Sequence, residues 1–205
     1  MHGRRALSPV LDLPRLARRL PPAPAPELGP ALDAASRCLA RHGVTRTSMN
    51  DIARELRVSR SSIYRLLGSV DRTVRLLVAR EVHELVTVSL PAALAAASGP
   101  DVVVAMLEEA VSFARDHPVV RKVMADEPEL IGPYLLTDLQ ATTAQIADLL
   151  TPLLEQAMDA GLVRAQDARV LSDWLVRVAM VLVLDPMDEP LRPKLEQLLL
   201  PVLTV

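Results

Sequence analysis

Apolar residues recur at helical spacing along most of the chain. Leu32, Ala35 and Leu39 share one face of a first predicted helix, which begins at Pro30 and ends at Gly43 in a left-handed conformation. Later stripes of the same kind predict helices over residues 135–160, 165–184 and 192–203, among others. Alternation long enough for a strand is missing, so the pattern predicts an all-α fold of about nine helices.

Two short predicted helices within residues 47–67 are spaced as in a helix-turn-helix. The first follows Ser48, which forms a capping-box signature with Asp51 three residues later. The second begins at Arg60, after Ser59, a residue type that favours the N-cap. A turn of about three residues separates the two helices, as the helix-turn-helix requires.

The second of these helices starts with short hydroxyl side chains and carries basic and aromatic residues behind them. The candidate DNA-contacting residues here are Ser59, Arg60, Ser61, Ser62, Tyr64 and Arg65. Short side chains let a helix enter the major groove, where Arg60 can reach guanine acceptors or a phosphate. The alternative is a helical hairpin with a polar rim.

Composition excludes several classes of protein. Half of the residues are apolar and 23% are charged, so a core can be buried and bulk disorder is excluded. The single cysteine, Cys38, excludes a disulfide framework and a cysteine-based zinc site, and its place on the apolar face of the first helix favours a core role.

The uncharged stretch 85–100 is too short and too broken by Pro91 and Gly99 to span a membrane. A cytoplasmic location without membrane or signal segment is expected.

The charge is distributed unevenly. Residues 1–90 have a formal charge of +7 and residues 91–205 one of −9. This asymmetry suggests that only the first half meets a polyanion, unless it is uneven surface charge without a partner. Residues 1–29 are rich in proline and arginine, and we interpret them as a flexible arm, a solvated tail in preference to a phosphate-binding segment.

Several blocks of sequence resemble the TetR family of bacterial transcriptional regulators. They are Ala31-Leu32-Asp33-Ala34-Ala35, Leu39-Ala40-Arg41-His42-Gly43-Val44, Thr47-Ser48-Met49-Asn50-Asp51-Ile52-Ala53, Val58-Ser59-Arg60-Ser61-Ser62-Ile63-Tyr64, and Asp71 with Leu76-Leu77. The resemblance implies that Thr47 holds a phosphate, and Ser48 and Arg57 complete the set of candidate DNA contacts. It also implies that Tyr64 lies along the DNA backbone.

The chain departs from the family pattern at the turn and after it. Arg57 stands where the turn usually has glycine, Leu66 and Leu67 replace histidine and phenylalanine, and Val70 replaces a phosphate-binding lysine. The resemblance implies a DNA-binding domain over residues 30–76 and a helical regulatory and dimerisation domain over residues 77–205. It further implies a ligand-responsive regulator, in the first instance a repressor, that binds a palindromic operator on double-stranded DNA as a homodimer.

A small apolar ligand is the expected effector. The candidate lining residues are the scarce bulky ones, Met106, Phe113, Met124, Tyr134, Trp174 and Met180, with Arg177 as an anchor for a carboxylate. Bulky residues at helical spacing more often fill a core, and Arg177 is expected to pair with Asp173 one turn earlier.

The dimer is expected to form through the two last long helices. The stripe Leu171, Leu175, Val178, Ala179 and Leu182, completed by Leu195, Leu198 and Leu199, fits a four-helix interface between two copies. The competing interpretation is a fully buried central helix.

Catalysis has little support in the sequence. The four histidines have no paired spacing for a metal or for acid–base work, and a phosphate-binding glycine-rich loop is missing. We interpret Glu108-Glu109 and Asp126-Glu127 as solvated charges. We therefore expect no enzyme, metal or cofactor. The alternative function is a helical protein-interaction module, or a regulator without a small-molecule ligand, in which DNA binding is weakened.

Overall fold

The computed structural model describes residues 16–131, 139–185 and 190–204. For Leu139 it describes the backbone alone. Its α-helices are α1 (Gly29–His42), α2 (Met49–Leu56), α3 (Arg60–Leu67), α4 (Val70–Glu84), α5 (Leu90–Leu94), α6 (Asp101–Asp116), α7 (Pro118–Asp126), α8 (Leu139–Asp159), α9 (Ala168–Leu184) and α10 (Leu191–Leu203). A π-helical segment, Leu85–Ser89, joins α4 to α5 without a break. The predicted all-α fold is confirmed.

Local sequence signals set the ends of these helices. Proline occupies the first turn of α1 and of α7, where its missing amide proton costs no helical bond. The side chain of Asp167 accepts the amide of Val170 at the start of α9. Gly43 ends α1 with the predicted positive φ of 85°, but its ψ of 174° is extended, so the left-handed helical conformation predicted there is wrong.

The described residues group into two compact units. Residues 21–83 and 115–131 form one, called here the helix-turn-helix unit, and residues 16–20, 84–114 and those from 139 onward form the second unit. The predicted boundary between residues 76 and 77 stays a prediction. The helix-turn-helix unit thus contains α7, which follows α1–α4 only after an intervening segment of the second unit.

The core of the helix-turn-helix unit forms where α1, α2 and α3 meet. Leu32, Leu39, Ile52, Ile63 and Leu67 are each at most 1% exposed in it. Cys38 is buried with them, as predicted, and burial raises the pKa of its thiol. The small Ala53 of α2 is buried in the same core.

The core of the second unit is larger and is built mainly on α6, α8, α9 and α10. The hydroxyl groups of Thr151 on α8 and Ser172 on α9 lie 3.0 Å apart across a close helix pair. Leu16 and Leu20 are buried in this core, so the interpretation of the arm as a solvated tail does not hold at these positions. Their spacing of one helical turn supplies an apolar face that the surrounding prolines and arginines obscure. Residues 1–15 lie outside the described part.

Within the described residues, no helix is both long and apolar enough to cross a membrane. The same part of the chain brings together no group of three or more His, Cys, Asp or Glu side chains suited to a metal ion.

Candidate nucleic-acid interface

The predicted capping box at the start of α2 is present. The backbone amide of Asp51 donates to the Ser48 hydroxyl oxygen (3.3 Å), and the Ser48 amide donates to Oδ2 of Asp51 (3.0 Å). Hydrogen bonds from the hydroxyl and amide of Ser48 lower the pKa of Asp51. The box fixes the first turn of α2 while leaving Ser48 on the surface.

Thr47 points into the protein. It is 6% exposed, and its hydroxyl donates to the carbonyl oxygen of Gly43 (2.6 Å). The hydroxyl proton is therefore used within the loop between α1 and α2.

The turn between α2 and α3 holds Arg57 in the left-handed region, with φ of 60° and ψ of 42°. It is the one residue other than glycine with a positive φ in the described part. This conformation explains why related turns favour glycine, because a Cβ atom is disfavoured there. The Arg57 side chain is exposed.

The first turn of α3 is capped by its own hydroxyl groups. Ser59 accepts the amide of Ser62 (3.1 Å), and the hydroxyls of Ser61 and Ser62 each lie 2.9 Å from the Ser59 hydroxyl. Ser59 and Ser61 are exposed, so the helix start presents a short polar surface. The partial positive charge of a helix N-terminus makes such a surface attractive to phosphates.

Arg60 and Tyr64 are paired one turn apart on the outer face of α3. The guanidinium carbon of Arg60 lies 5.4 Å from the centre of the Tyr64 ring, within cation–π distance. Tyr64 is 42% exposed, and Arg65 beside it is also exposed. The opposite face of α3 is anchored by the fully buried Ile63 and Leu67.

Ion pairs that the sequence did not reveal connect α1 to α2. Glu55 accepts from Arg37 (2.8 Å) and lies 3.5 Å from Arg41. These bonds lower the pKa of Glu55, chiefly through Arg37. No local sequence pattern indicates these ion pairs. Their partners are 14 and 18 positions apart in the sequence and meet only because α2 folds back on α1.

The departures from the family pattern have a packing explanation. Leu67 is fully buried in the core, and Leu66 and Val70 pack partly buried against it. Val70 thus contributes an apolar contact to this core where the family pattern has a positive charge. Arg72 and Arg75 on α4 are exposed.

The candidate ligand residues that the structure describes are divided between the two units. Met106 is buried in the core of the second unit. Phe113 and Met180 are partly buried side chains of the same unit, whereas Met124 belongs to the helix-turn-helix unit. Trp174 is 48% exposed. Arg177 forms two hydrogen bonds with Asp173, of 2.8 and 3.2 Å, which confirms the expected pair. Tyr134 lies outside the described residues.

Most side chains of the apolar stripe predicted to form the dimer interface are buried within the single chain. Leu171, Leu175, Leu182, Leu195 and Leu199 are at most 9% exposed, and Val178 and Ala179 pack partly buried beside them. Of the predicted set only Leu198 is exposed. Burial within one chain leaves these leucines little surface for a partner, so their part in a dimer stays a prediction; helical periodicity identifies an apolar face without revealing which neighbour covers it.

An exposed, arginine-bearing helix on a capped helix-turn-helix frame, within an all-α fold, is the arrangement that helix-turn-helix DNA-binding proteins use. Residues 31–69 match the family model "Bacterial regulatory proteins, tetR family", which confirms the TetR resemblance. No curated protein matches the chain.

Solved structures share the fold. A TetR-family transcriptional regulator from Pectobacterium atrosepticum has a TM-score of 0.64 and 16% identity, over 85% of this chain and 93% of that one. The fatty acid degradation regulator FadR from Bacillus halodurans has a TM-score of 0.61 and 19% identity, over 86% and 95%. AibR in complex with isovaleryl coenzyme A and operator DNA has a TM-score of 0.54 and 16% identity, over 82% and 96%. At these levels of sequence identity, the likenesses show a shared fold.

Proposed function

We propose that this protein is a homodimeric transcriptional regulator that inserts α3 into the major groove of a palindromic operator and represses transcription. The observation that carries the proposal is the exposed first turn of α3, where Ser59, Arg60 and Ser61 face solvent on a helix anchored by Ile63 and Leu67. Such a helix presents side chains to base edges without reorganising on binding.

Charge supports contact with a polyanion. Residues 45–75 contain seven arginines against three carboxylates, and Asp51 and Glu55 are already engaged in hydrogen bonds within the fold. The proposed contact residues are Ser48, Arg57, Ser59, Arg60, Ser61, Ser62, Tyr64 and Arg65. For Thr47 we propose a supporting role through its bond to Gly43, in place of a phosphate contact by its hydroxyl.

A second copy of the chain is proposed to cover an exposed apolar stripe on α9 and α10. Val170, Trp174 and Val181 on α9, and Leu198 and Val202 on α10, are each at least 45% exposed. Five large apolar side chains on two helices suit a helix-helix interface between subunits. A two-fold dimer would present two α3 helices to half-sites about 34–36 Å apart.

The effector is proposed to be a small apolar molecule, with acyl compounds as the first class to test. Met106 and the neighbouring aliphatic side chains of the second unit supply an apolar environment. FadR is described as a fatty acid degradation regulator, and AibR was solved with isovaleryl coenzyme A. Fatty acids and acyl thioesters that raise the melting temperature and release DNA would support this class. A panel without effect would contradict it.

Selection of duplexes from a random pool by the full-length protein tests the function. We expect enrichment of an imperfect palindrome, bound with an affinity that falls as salt rises because arginines displace counterions from phosphates. Binding is measured by fluorescence anisotropy on the selected duplex. Failure to enrich any sequence and to bind duplexes at low ionic strength would contradict the proposal and favour the interaction module.

Arg57→Gly is expected to separate stability from DNA affinity. Glycine relieves the left-handed strain at this position, so the free energy of unfolding should rise by up to about 1 kcal/mol. Loss of the guanidinium should lower the affinity for DNA. It should also make that affinity less dependent on salt concentration, by the equivalent of about one phosphate contact per half-site. Denaturant unfolding and salt titrations measure the two effects.

Arg57→Asn is the matched control for the Arg57 experiment, since asparagine tolerates the left-handed region but is uncharged. It should lose affinity like the glycine variant with a smaller gain in stability. Unchanged affinity in both variants would remove Arg57 from the contact set.

A further inference from the structure

Glu127 is a carboxylate buried at the end of α7. It is 1% exposed, although the sequence suggested a solvated charge, and that interpretation is wrong. Asp126 is the last residue of α7 and Glu127 is its C-cap, with a non-helical φ of −134° and ψ of 44°, so two adjacent acidic residues have different surroundings. Asp126 is exposed and binds Lys122, whereas Glu127 points into the helix-turn-helix unit.

The Glu127 carboxylate receives hydrogen bonds from the connection between α1 and α2. The amide of Val44 donates to Oε2 (2.6 Å), and the amide of Thr45 donates to Oε1 (2.9 Å). The Thr45 hydroxyl also donates to Oε1. Two backbone amides and one hydroxyl from consecutive residues thus converge on one side chain.

The connection is shaped to receive this carboxylate. A Cβ atom on Gly43 would lie 2.6 Å from the Glu127 carboxyl atoms, and Gly43 has a positive φ. The Gly43 carbonyl in turn accepts the Thr47 hydroxyl, one residue before the cap of α2. Glu127 is therefore linked through Gly43–Thr47 to the start of α2.

The charge state suits this role. Burial by itself raises the pKa of Glu127, but the hydrogen bonds from Thr45 and Val44 and the positive charge of Arg46 outweigh it and leave the pKa lowered. The charged carboxylate is thus the stable form.

We propose that Glu127 is a positioning residue for DNA binding, whose buried carboxylate holds residues 43–45 and thereby fixes the orientation of α2 and of α3 packed upon it. This inference rests on the DNA-binding function proposed above.

The test is Glu127→Gln in the full-length protein. Glutamine keeps the size of the side chain, but its single carbonyl cannot accept both backbone amides, and its own NH₂ faces one of them. Affinity for the selected duplex should fall about tenfold at a temperature well below the melting transition. The amide proton resonances of Val44 and Thr45 should move upfield.

Two controls separate positioning from general stability. Glu129→Gln, at an exposed site on the next turn, should change neither affinity nor these resonances. Cys38→Ala removes core volume in α1 and leaves the hydrogen bonds between Glu127 and residues 44–45 in place. It should therefore lower the melting temperature and keep the DNA affinity. If Glu127→Gln does not fold, Thr45→Val removes only the hydroxyl donor and should lower affinity about threefold.

Parent-like affinity in a Glu127→Gln protein whose Val44 and Thr45 resonances have moved would overturn the inference. Equal affinity losses in Glu127→Gln and Cys38→Ala at equal destabilisation would overturn it as well. A parent protein that binds no duplex contradicts the proposed function itself, and this outcome is visible before any variant is compared.

Discussion

Arg60→Ala is expected to weaken binding to the selected operator by about 1–3 kcal/mol per half-site, or roughly 5- to 150-fold. Arg60 stands in the first turn of the proposed reading helix, is exposed, and is held over the Tyr64 ring at 5.4 Å. A guanidinium arranged in this way loses little side-chain freedom when it contacts guanine or phosphate. Its removal therefore costs both the contact and its preorganisation.

The Arg60 measurement is an anisotropy titration against the selected duplex and against duplexes with single base changes. If Arg60 reads a base, the variant should lose discrimination at one position of each half-site, whereas loss of a phosphate contact would weaken all sequences alike. Arg164→Ala makes the same charge change on an exposed residue of the second unit and should bind like the parent. Parent-like affinity of Arg60→Ala would mean that α3 is not the reading helix.

Val181→Asp is expected to convert the dimer into monomers and to lower operator affinity by about a hundredfold or more. Val181 is 60% exposed in the stripe with Val170 and Trp174, and a carboxylate placed there would lose its hydration on association. Two linked half-site contacts bind far more tightly than one, so the monomer loses the gain in effective concentration.

Size-exclusion chromatography with light scattering measures the change in assembly. Val88→Asp introduces the same charge at a valine that is 53% exposed elsewhere in the second unit, and it should leave the dimer intact. A Val181→Asp protein that stays dimeric would exclude this stripe as the interface. A parent that is monomeric both free and on DNA would exclude the dimer altogether.

The helix-turn-helix could be predicted because its signals are local. The Ser48–Asp51 capping box and the Ser59 cap involve residues three apart, and both are present in the structure. Helical spacing also places Ile52 and Ile63 on the apolar faces of α2 and α3, and both are fully buried. Such features depend on backbone geometry within one or two turns, which the sequence encodes directly.

Local patterns are least informative where two distant segments meet. The face of α9 that includes Leu175 is apolar enough to suit a partner, yet Leu175 is buried in the core of its own chain. Val170 and Trp174 lie on the exposed side instead. Periodicity measures how apolar a face is, and the direction in which that face points depends on packing.

The sequence by itself determined the helical elements, their caps and the polar, basic first turn of α3, since these follow from residue types within a few positions of one another. The tertiary structure decided which apolar faces are covered, that Leu16 and Leu20 join a core, and that Glu127 reaches Val44 and Thr45 across 83 and 82 positions of sequence. A contact of that range has no local signature, because burial and hydrogen-bond partners are set only when the helices pack.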